Sequence, residues 1–411
     1  LGELGLDGRV RRVPGVLPAV QASVRSGAHR CVVPAENAAE AGVVAGAEVI
    51  GVSSLRSLLA TLRGEPDPDA GTDVAPRPVG GYPAPDPGEG DICDVVGQPV
   101  ARRLVEVAAA GRHHLLLSGP PGTGKTMLAR RLPSLLPDLD VSQALEVSSV
   151  HSVAGLLDPD QPLVLRPPFL DPHHTSSAAA LVGGGSGQLR PGAVSLAHHG
   201  VLLLDEAPEF NRTALEALRQ PLERGEVLIT RARGTSTFPA RFQLVVTANP
   251  CPCGFAGSVV RACTCPPDAV RRYQSRLSGP LLDRIDLHCA VGAVSRAVAA
   301  ADQASRESSA VVRARVEQAR ATQQERYVGE SWSVNAEIPS DLLRRRWQLG
   351  PALERTVDEA VRRGRLSERG ADRVRRVCWT LADLEGADCP GRTHVDEAVA
   401  FHQAAGGLAV A

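Results

Sequence analysis

The chain has 411 residues, 43% of them hydrophobic and 22% charged, with a formal net charge of −1. That is room for two or three globular domains. No run reaches the roughly eighteen apolar residues of a membrane span, and the near-neutral charge excludes a uniformly basic nucleic-acid binder while leaving room for a local basic channel.

Aromatic residues make up only 3% of the chain, few for stacking bases. Nine cysteines with no recognisable leader ahead of them are expected to stay reduced, in the cytoplasm. The only methionine is Met127, so a chain starting at Leu1 is expected to be part of a longer protein. The only lysine is Lys125, and every other basic residue is arginine. A planar guanidinium cannot replace a compact ammonium everywhere, which marks position 125 as one that needs an ammonium.

Residues 1–63 alternate short apolar runs (RCVVPA, EVIGV) with helix-like stretches, the pattern of a small α/β piece. Residues 64–90 are rich in Pro, Gly and acids with little to bury, and are expected to be a solvated linker. From Asp91 to about Val294, apolar strands alternate with helices, as in HHLLLSG then KTMLARRLPSLL, GVLLLDE then NRTALEALRQPLER, and FQLVVTAN. This predicts an α/β domain with a parallel sheet covered on both faces. Residues 295–411 carry helical periodicity to the end.

The chemistry begins at GPPGTGKT, Gly119, Pro120, Pro121, Gly122, Thr123, Gly124, Lys125 and Thr126, between a predicted strand and helix. That context is the one a P-loop requires. The glycines let backbone N–H groups close around phosphate oxygens at a helix start. Lys125 would bridge the β- and γ-phosphates, and the Thr126 hydroxyl would hold Mg²⁺.

His173–His174 and His198–His199 flank a small-residue loop, AAALVGGGSGQLRPGAV. Adjacent histidines are expected to point apart on a strand or helix, so neither pair is predicted to bind a metal. In VLLLDE, Asp205 would bind Mg²⁺ through water and Glu206 would polarise the attacking water. Residues 225–242 read as a β-hairpin with Arg231 and Arg233 near the tip, either solvated or tracking a phosphate backbone. Asn249 ends the next strand, where its amide could hold the lytic water.

Cys251, Cys253, Cys263 and Cys265 follow in C-x-C-x9-C-x-C spacing. Four thiols so placed could supply a closed tetrahedral Zn²⁺ site, or could be reduced loop cysteines without metal. In SGPLLDRIDL, Arg284 is read as an arginine finger supplied to a neighbouring copy, or as a structural partner of Asp283 or Asp286. In LSERGADRVRRV, Arg373 is expected to reach the γ-phosphate of its own copy, with Arg369 and Arg376 on the same helix face.

Taken together, GPPGTGKT, PHHTSSAAALVGGGSG, RPGAVSLAHHGVLLLDEAPEF, ANPCPCG with CTC, SGPLLDRIDL and LADLEG resemble the AAA+ ATPases, in the Mg-chelatase-like group and its ComM/YifB branch. The resemblance covers Asp91 to the C-terminus. It implies a P-loop NTPase sheet with a C-terminal helical lid and a cysteine insertion at 251–265, with ATP and Mg²⁺ as cofactors. It also implies a homo-oligomeric ring, expected as a hexamer, and a motor acting on DNA, away from membranes. The loop between the histidine pairs would face the ring pore, Asn249 would be the sensor, and zinc would fix the loop between Asn249 and Arg284.

GELGLDGRVRRVPGVLPAV looks like the tail of the Lon-protease-like N-terminal domain of that branch, although residues 1–63 contain no lysine for a Ser/Lys pair. Two other expectations compete: a chelatase-type ATPase remodelling a protein partner, and a chaperone- or protease-associated ATPase. One motif departs from the pattern, RPPFLDPHHT standing where RPFRAPHHT is usual.

Overall fold

The computed structural model describes residues 1–69, 90–184, 189–231, 234–258, 261–303 and 305–403. Most of the expected linker lies outside the described residues, as do Arg233 and part of the small-residue loop between the histidine pairs. Of Arg231 only the backbone is described.

Residues 1–63 form their own small unit. A parallel pair, β1 (Arg30–Pro34) and β2 (Glu48–Val52), packs with helix α1 (Val16–Arg25) around Val16, Leu17, Val20, Val33 and Ala41. The unit docks on α3 (Val141–Ala154) of the following domain. At the junction the buried Glu40 accepts from the Leu17 N–H at 3.1 Å and the Ser152 hydroxyl at 2.9 Å.

The second unit is a five-stranded parallel sheet. Its members in chain order are β3 (Leu115–Ser118), β4 (Phe169–Leu170), β5 (Val201–Leu204), β8 (Gln243–Ala248) and β9 (Leu287–Ala290). Across the sheet they run β9-β3-β8-β5-β4. Side chains alternate between faces as strand geometry demands. Leu115, Leu117, Val201, Leu203 and Val245 enter one core, whereas Leu116, Leu202, Leu204, Leu244 and Val246 enter another. Both faces are dry, so these strands read as continuous apolar runs. Residues 226–239 form the expected hairpin, β6 (Glu226–Arg231) with β7 (Gly234–Pro239).

Past β9 the described chain is helical. Helix α2 (Pro99–Gly111) covers one face of the sheet, and α5 (Ser309–Arg326) lies beside it. Further on come α6 (Pro351–Arg362), α7 (Glu368–Leu384) and α8 (Arg392–Gln403). Ser367 caps α7 by accepting the Gly370 N–H. Among the described residues no helix is long and apolar enough to cross a membrane.

This helical region attaches where the strands begin. Arg320 and Gln323 donate to the carbonyls of Ala109 and Ala110 at the end of α2, and His113 pairs with Thr380 at 2.7 Å. The site described next lies where the strands end.

Candidate functional site

Helix α4 (Lys125–Arg131) starts directly after the GPPGTGKT turn that leaves β3. Gly122 and Gly124 hold left-handed φ values of 75° and 89°. Gly119 has a second constraint, since a methyl group there would come within 2.1 Å of the Val291 carbonyl oxygen. Lys125 Nζ donates to the Gly119 and Pro120 carbonyls at 2.8 Å each and to Asn249 Oδ1 at 3.1 Å. Its three protons are thus engaged by loop and strand oxygens that phosphate oxygens would replace. Burial pushes the Lys125 pKa down, against the pull of Asp205 and Glu206.

The Thr126 hydroxyl donates to both carboxylate oxygens of Asp205, at 2.9 and 3.1 Å. A hydroxyl and a carboxylate in contact at the foot of a phosphate loop are the hard oxygen donors that Mg²⁺ takes alongside substrate phosphates. Glu206 is exposed beside them with φ 51°, a conformation that costs a non-glycine residue energy unless its neighbours fix it. Thr247 supplies that restraint. Its hydroxyl donates to Asp205 at 2.6 Å and accepts the Glu206 N–H at 2.8 Å. Sequence reasoning missed Thr247, though a hydroxyl in the otherwise apolar run LVVTA was a signal.

The four cysteines of the insertion come together. Cys251, Cys253 and Cys263 have Sγ–Sγ separations of 3.4 to 3.6 Å, and all four sulfurs lie within 4.8 Å of one another. Disulfides need about 2.05 Å, whereas a tetrahedron with Zn–S bonds of 2.3 Å has edges of about 3.8 Å. Backbone N–H groups of Cys253, Cys265 and Ala256 point at sulfur, and those of Phe255 and Thr264 pull the Cys253 thiol down to about 5. Against the pull of one such N–H on each, the neighbouring sulfurs push the other way on Cys263 and on Cys265, the latter up to about 12, so it is the spacing of the four sulfurs that suits an ion such as Zn²⁺.

The two arginines are elsewhere. Arg284 pairs with Glu223 and donates to the Pro280 carbonyl, not to Asp283 or Asp286, and its buried Nε has no partner among the described residues. Burial pushes its pKa down, followed by the charges of Arg219, Arg369 and Arg373. Arg373 Nε lies 3.5 Å from Asp286 Oδ1. Burial works to raise Asp286, yet His113, His114 and Arg373 outweigh it and hold the carboxyl well below its usual range.

Asp286 donates its N–H to the His114 carbonyl, immediately before β3, while the P-loop begins immediately after β3. Four strand residues, roughly 13 Å, separate the two ends of β3. Arg373 therefore pairs at the strand ends opposite those that carry the phosphate loop of its own chain. The docking of α7 where the strands begin brings Arg369 and the buried Arg373 close enough to Arg284 for their charges to act on it.

The histidines correct a further expectation. His198 and His199 both reach Glu146 Oε2, at 2.9 and 3.1 Å, because a left-handed φ of 56° folds His199 back beside its neighbour. By position Glu146, His198 and His199 could hold a metal ion, but the hydrogen bonding works against it. His198 Nδ1 accepts the Arg241 N–H at 3.0 Å, so the proton of the neutral ring sits on Nε2, where a metal would need a lone pair.

A family model described as "Magnesium chelatase, subunit ChlI" matches residues 91–299, and one described as "Magnesium chelatase, subunit ChlI C-terminal" matches residues 306–402. An uncharacterised protein of Mycobacterium tuberculosis is 52% identical over 404 residues, covering 98% of this chain and 78% of the relative. Competence protein ComM of Haemophilus influenzae is 38% identical over 402 residues, covering 98% and 77%. An archaeal Lon protease of Pyrococcus abyssi is 44% identical over 54 residues, covering 13% and 5%.

Proposed function

Since this chain belongs to the magnesium chelatase subunit ChlI family of AAA+-type ATPases, we propose that it is an ATP-driven motor built as a ring of identical copies, with DNA as the polymer it moves on. One observation carries the reading. The P-loop lies where the strands end, whereas Arg284 and the buried Arg373 lie near one another where the strands begin. Arginines out of reach of their own nucleotide act on the nucleotide of the next copy. Each catalytic site is then shared between two copies, and a closed ring, a hexamer in this reading, completes every site.

Within one site Lys125 leaves the Gly119 and Pro120 carbonyls for the β- and γ-phosphates. Thr126 and Asp205 would hold Mg²⁺, which supplies charge neutralisation at the phosphates when bound. Glu206 accepts a proton from the attacking water, and Asn249 orients that water once Lys125 has moved. Arg284 and Arg373 of the next copy stabilise charge on the departing phosphates.

Cys251, Cys253, Cys263 and Cys265 would hold one structural Zn²⁺ per copy, in keeping with reduced thiols and a cytoplasmic setting. We take residues 1–63 as the end of a Lon-protease-like domain, docked on the ATPase unit through α3.

DNA is favoured as the track by likeness to a protein named for competence. The family's chelatase name favours a second reading, an ATPase that remodels a protein partner. ATPase rates measured with and without single-stranded, duplex and branched DNA separate them. The motor reading expects stimulation by at least one DNA form, and equal rates in all conditions would sink it.

A further inference from the structure

The polypeptide between Asn249 and Phe255 touches the P-loop twice. Asn249 accepts from Lys125 Nζ at 3.1 Å. Five residues later Gly254, at φ 82°, lies against Pro121, so close that a methyl group there would come within 2.4 Å of Pro121 Cδ and 2.5 Å of Cγ. Between the contacts sit Cys251, fully buried, and Cys253. A turn joins them, the Gly254 N–H bonding to the Cys251 carbonyl at 2.9 Å.

We propose that the four-cysteine module is the seat of the P-loop, so that the metal it binds sets how tightly nucleotide is held. This rests on the zinc reading above. The inserted loop has few apolar side chains of its own, and its conformation is defined by N–H groups turned to sulfur. In such a module metal binding and local folding are one equilibrium. Losing the ion releases Gly254 from Pro121 and loosens Asn249 beside Lys125.

The P-loop must exchange lysine's contacts with its own carbonyls for contacts with phosphate. A fixed seat at Pro121 limits the conformations it has to give up on binding, which is preorganisation. Gly254 and Pro121 are positioning residues in this scheme, acting through the backbone of the loop. The expected role for zinc, bracing the stretch between Asn249 and Arg284, gains a second and nearer target.

Two glycines of the same loop make the test. Gly257 also holds a left-handed φ, 73°, but a methyl group there would meet nothing within 4 Å among the described residues. G254A and G257A therefore carry similar backbone strain, and only G254A pushes on the P-loop. Zinc content is read by elemental analysis and affinity for Mg²⁺–ATP by calorimetric titration. The expected result is zinc retained in both variants, with ATP binding weakened about tenfold or more in G254A and within about twofold of the parent in G257A.

Stripping zinc from the parent protein with a chelator should weaken ATP binding similarly, and adding Zn²⁺ should restore it. Equal ATP affinity in the two alanine variants, or no change on stripping, overturns the seat. Absence of zinc from protein purified without chelator overturns the metal reading and the metal's control of nucleotide. The gap between G254A and G257A would then report on the contact alone, so the two failures are distinguishable.

Discussion

Thr247 binds the chemistry of the site together at the level of single atoms. Its one hydroxyl donates to Asp205 and accepts from the N–H of Glu206, so the proposed Mg²⁺ ligand and the proposed base are set by one group. Replacing Thr247 with Val keeps the shape and deletes both contacts. A hydrogen bond to a charged group contributes about 1.5–3 kcal/mol, so kcat should fall roughly tenfold to a hundredfold, with a higher Mg²⁺ requirement and little change in ATP affinity. Steady-state kinetics across a Mg²⁺ series reads both, and Thr247→Ser should recover most of the loss. A serine variant as poor as valine would mean that packing, not the hydroxyl, matters at this position. At this scale the sequence was most informative where chemistry is irreplaceable. A single lysine in an arginine-rich chain located Lys125, and two acids at the end of an apolar strand located Asp205 and Glu206. Thr247 left only the hint of a hydroxyl in an apolar run and Gly254 left none, because their roles depend on contacts with Asp205, Glu206 and Pro121, far away in the chain.

Among the secondary-structure elements, three of the five sheet strands were readable because burial on both faces makes them uniformly apolar. The edge strands β4 and β9 were not, being a two-residue FL and a four-residue LHCA with too little pattern to count. The approach to β8 shows how such gaps are sealed. His198 Nδ1 accepts the Arg241 N–H and His114 Nδ1 accepts the Leu244 N–H, both at 3.0 Å. Only a neutral ring can accept there, and burial pushes both pKa values down to about 4. In the unfolded chain each titrates near 6.5. The unfolded state thus binds more protons between about pH 6.5 and 4, so stability is full above that window and declines as pH falls through it, by on the order of 3 kcal/mol per ring. Urea midpoints at pH 7.5, 6 and 5 should drop in that order. The double replacement of His114 and His198 by Asn, which keeps an acceptor close to Nδ1, should flatten the trend; an unchanged slope would rule these two rings out as its source.

At the scale of the whole molecule, the proposed shared site rests on where the C-terminal helices dock. A helical region was legible from periodicity, and so were its arginines, but which end of the sheet it would attach to was not. That choice depends on contacts such as Arg320 with Ala109 and His113 with Thr380, which join segments more than two hundred residues apart. It takes Arg373 away from its own P-loop and puts it beside Arg284, so the central claim is that each site is completed by a neighbouring copy. Mixing two inactive variants tests this most directly. Lys125→Ala lacks a working P-loop but offers intact arginines, and Arg284→Ala does the reverse. In a ring assembled at random from equal amounts, about a quarter of the interfaces join an intact P-loop to an intact arginine. ATP turnover of the mixture should therefore rise from the background of either variant to as much as about a quarter of the parent rate, and Arg373→Ala should behave like Arg284→Ala. Turnover no higher than that of the separate variants, in mixtures proven to co-assemble, would contradict a shared site.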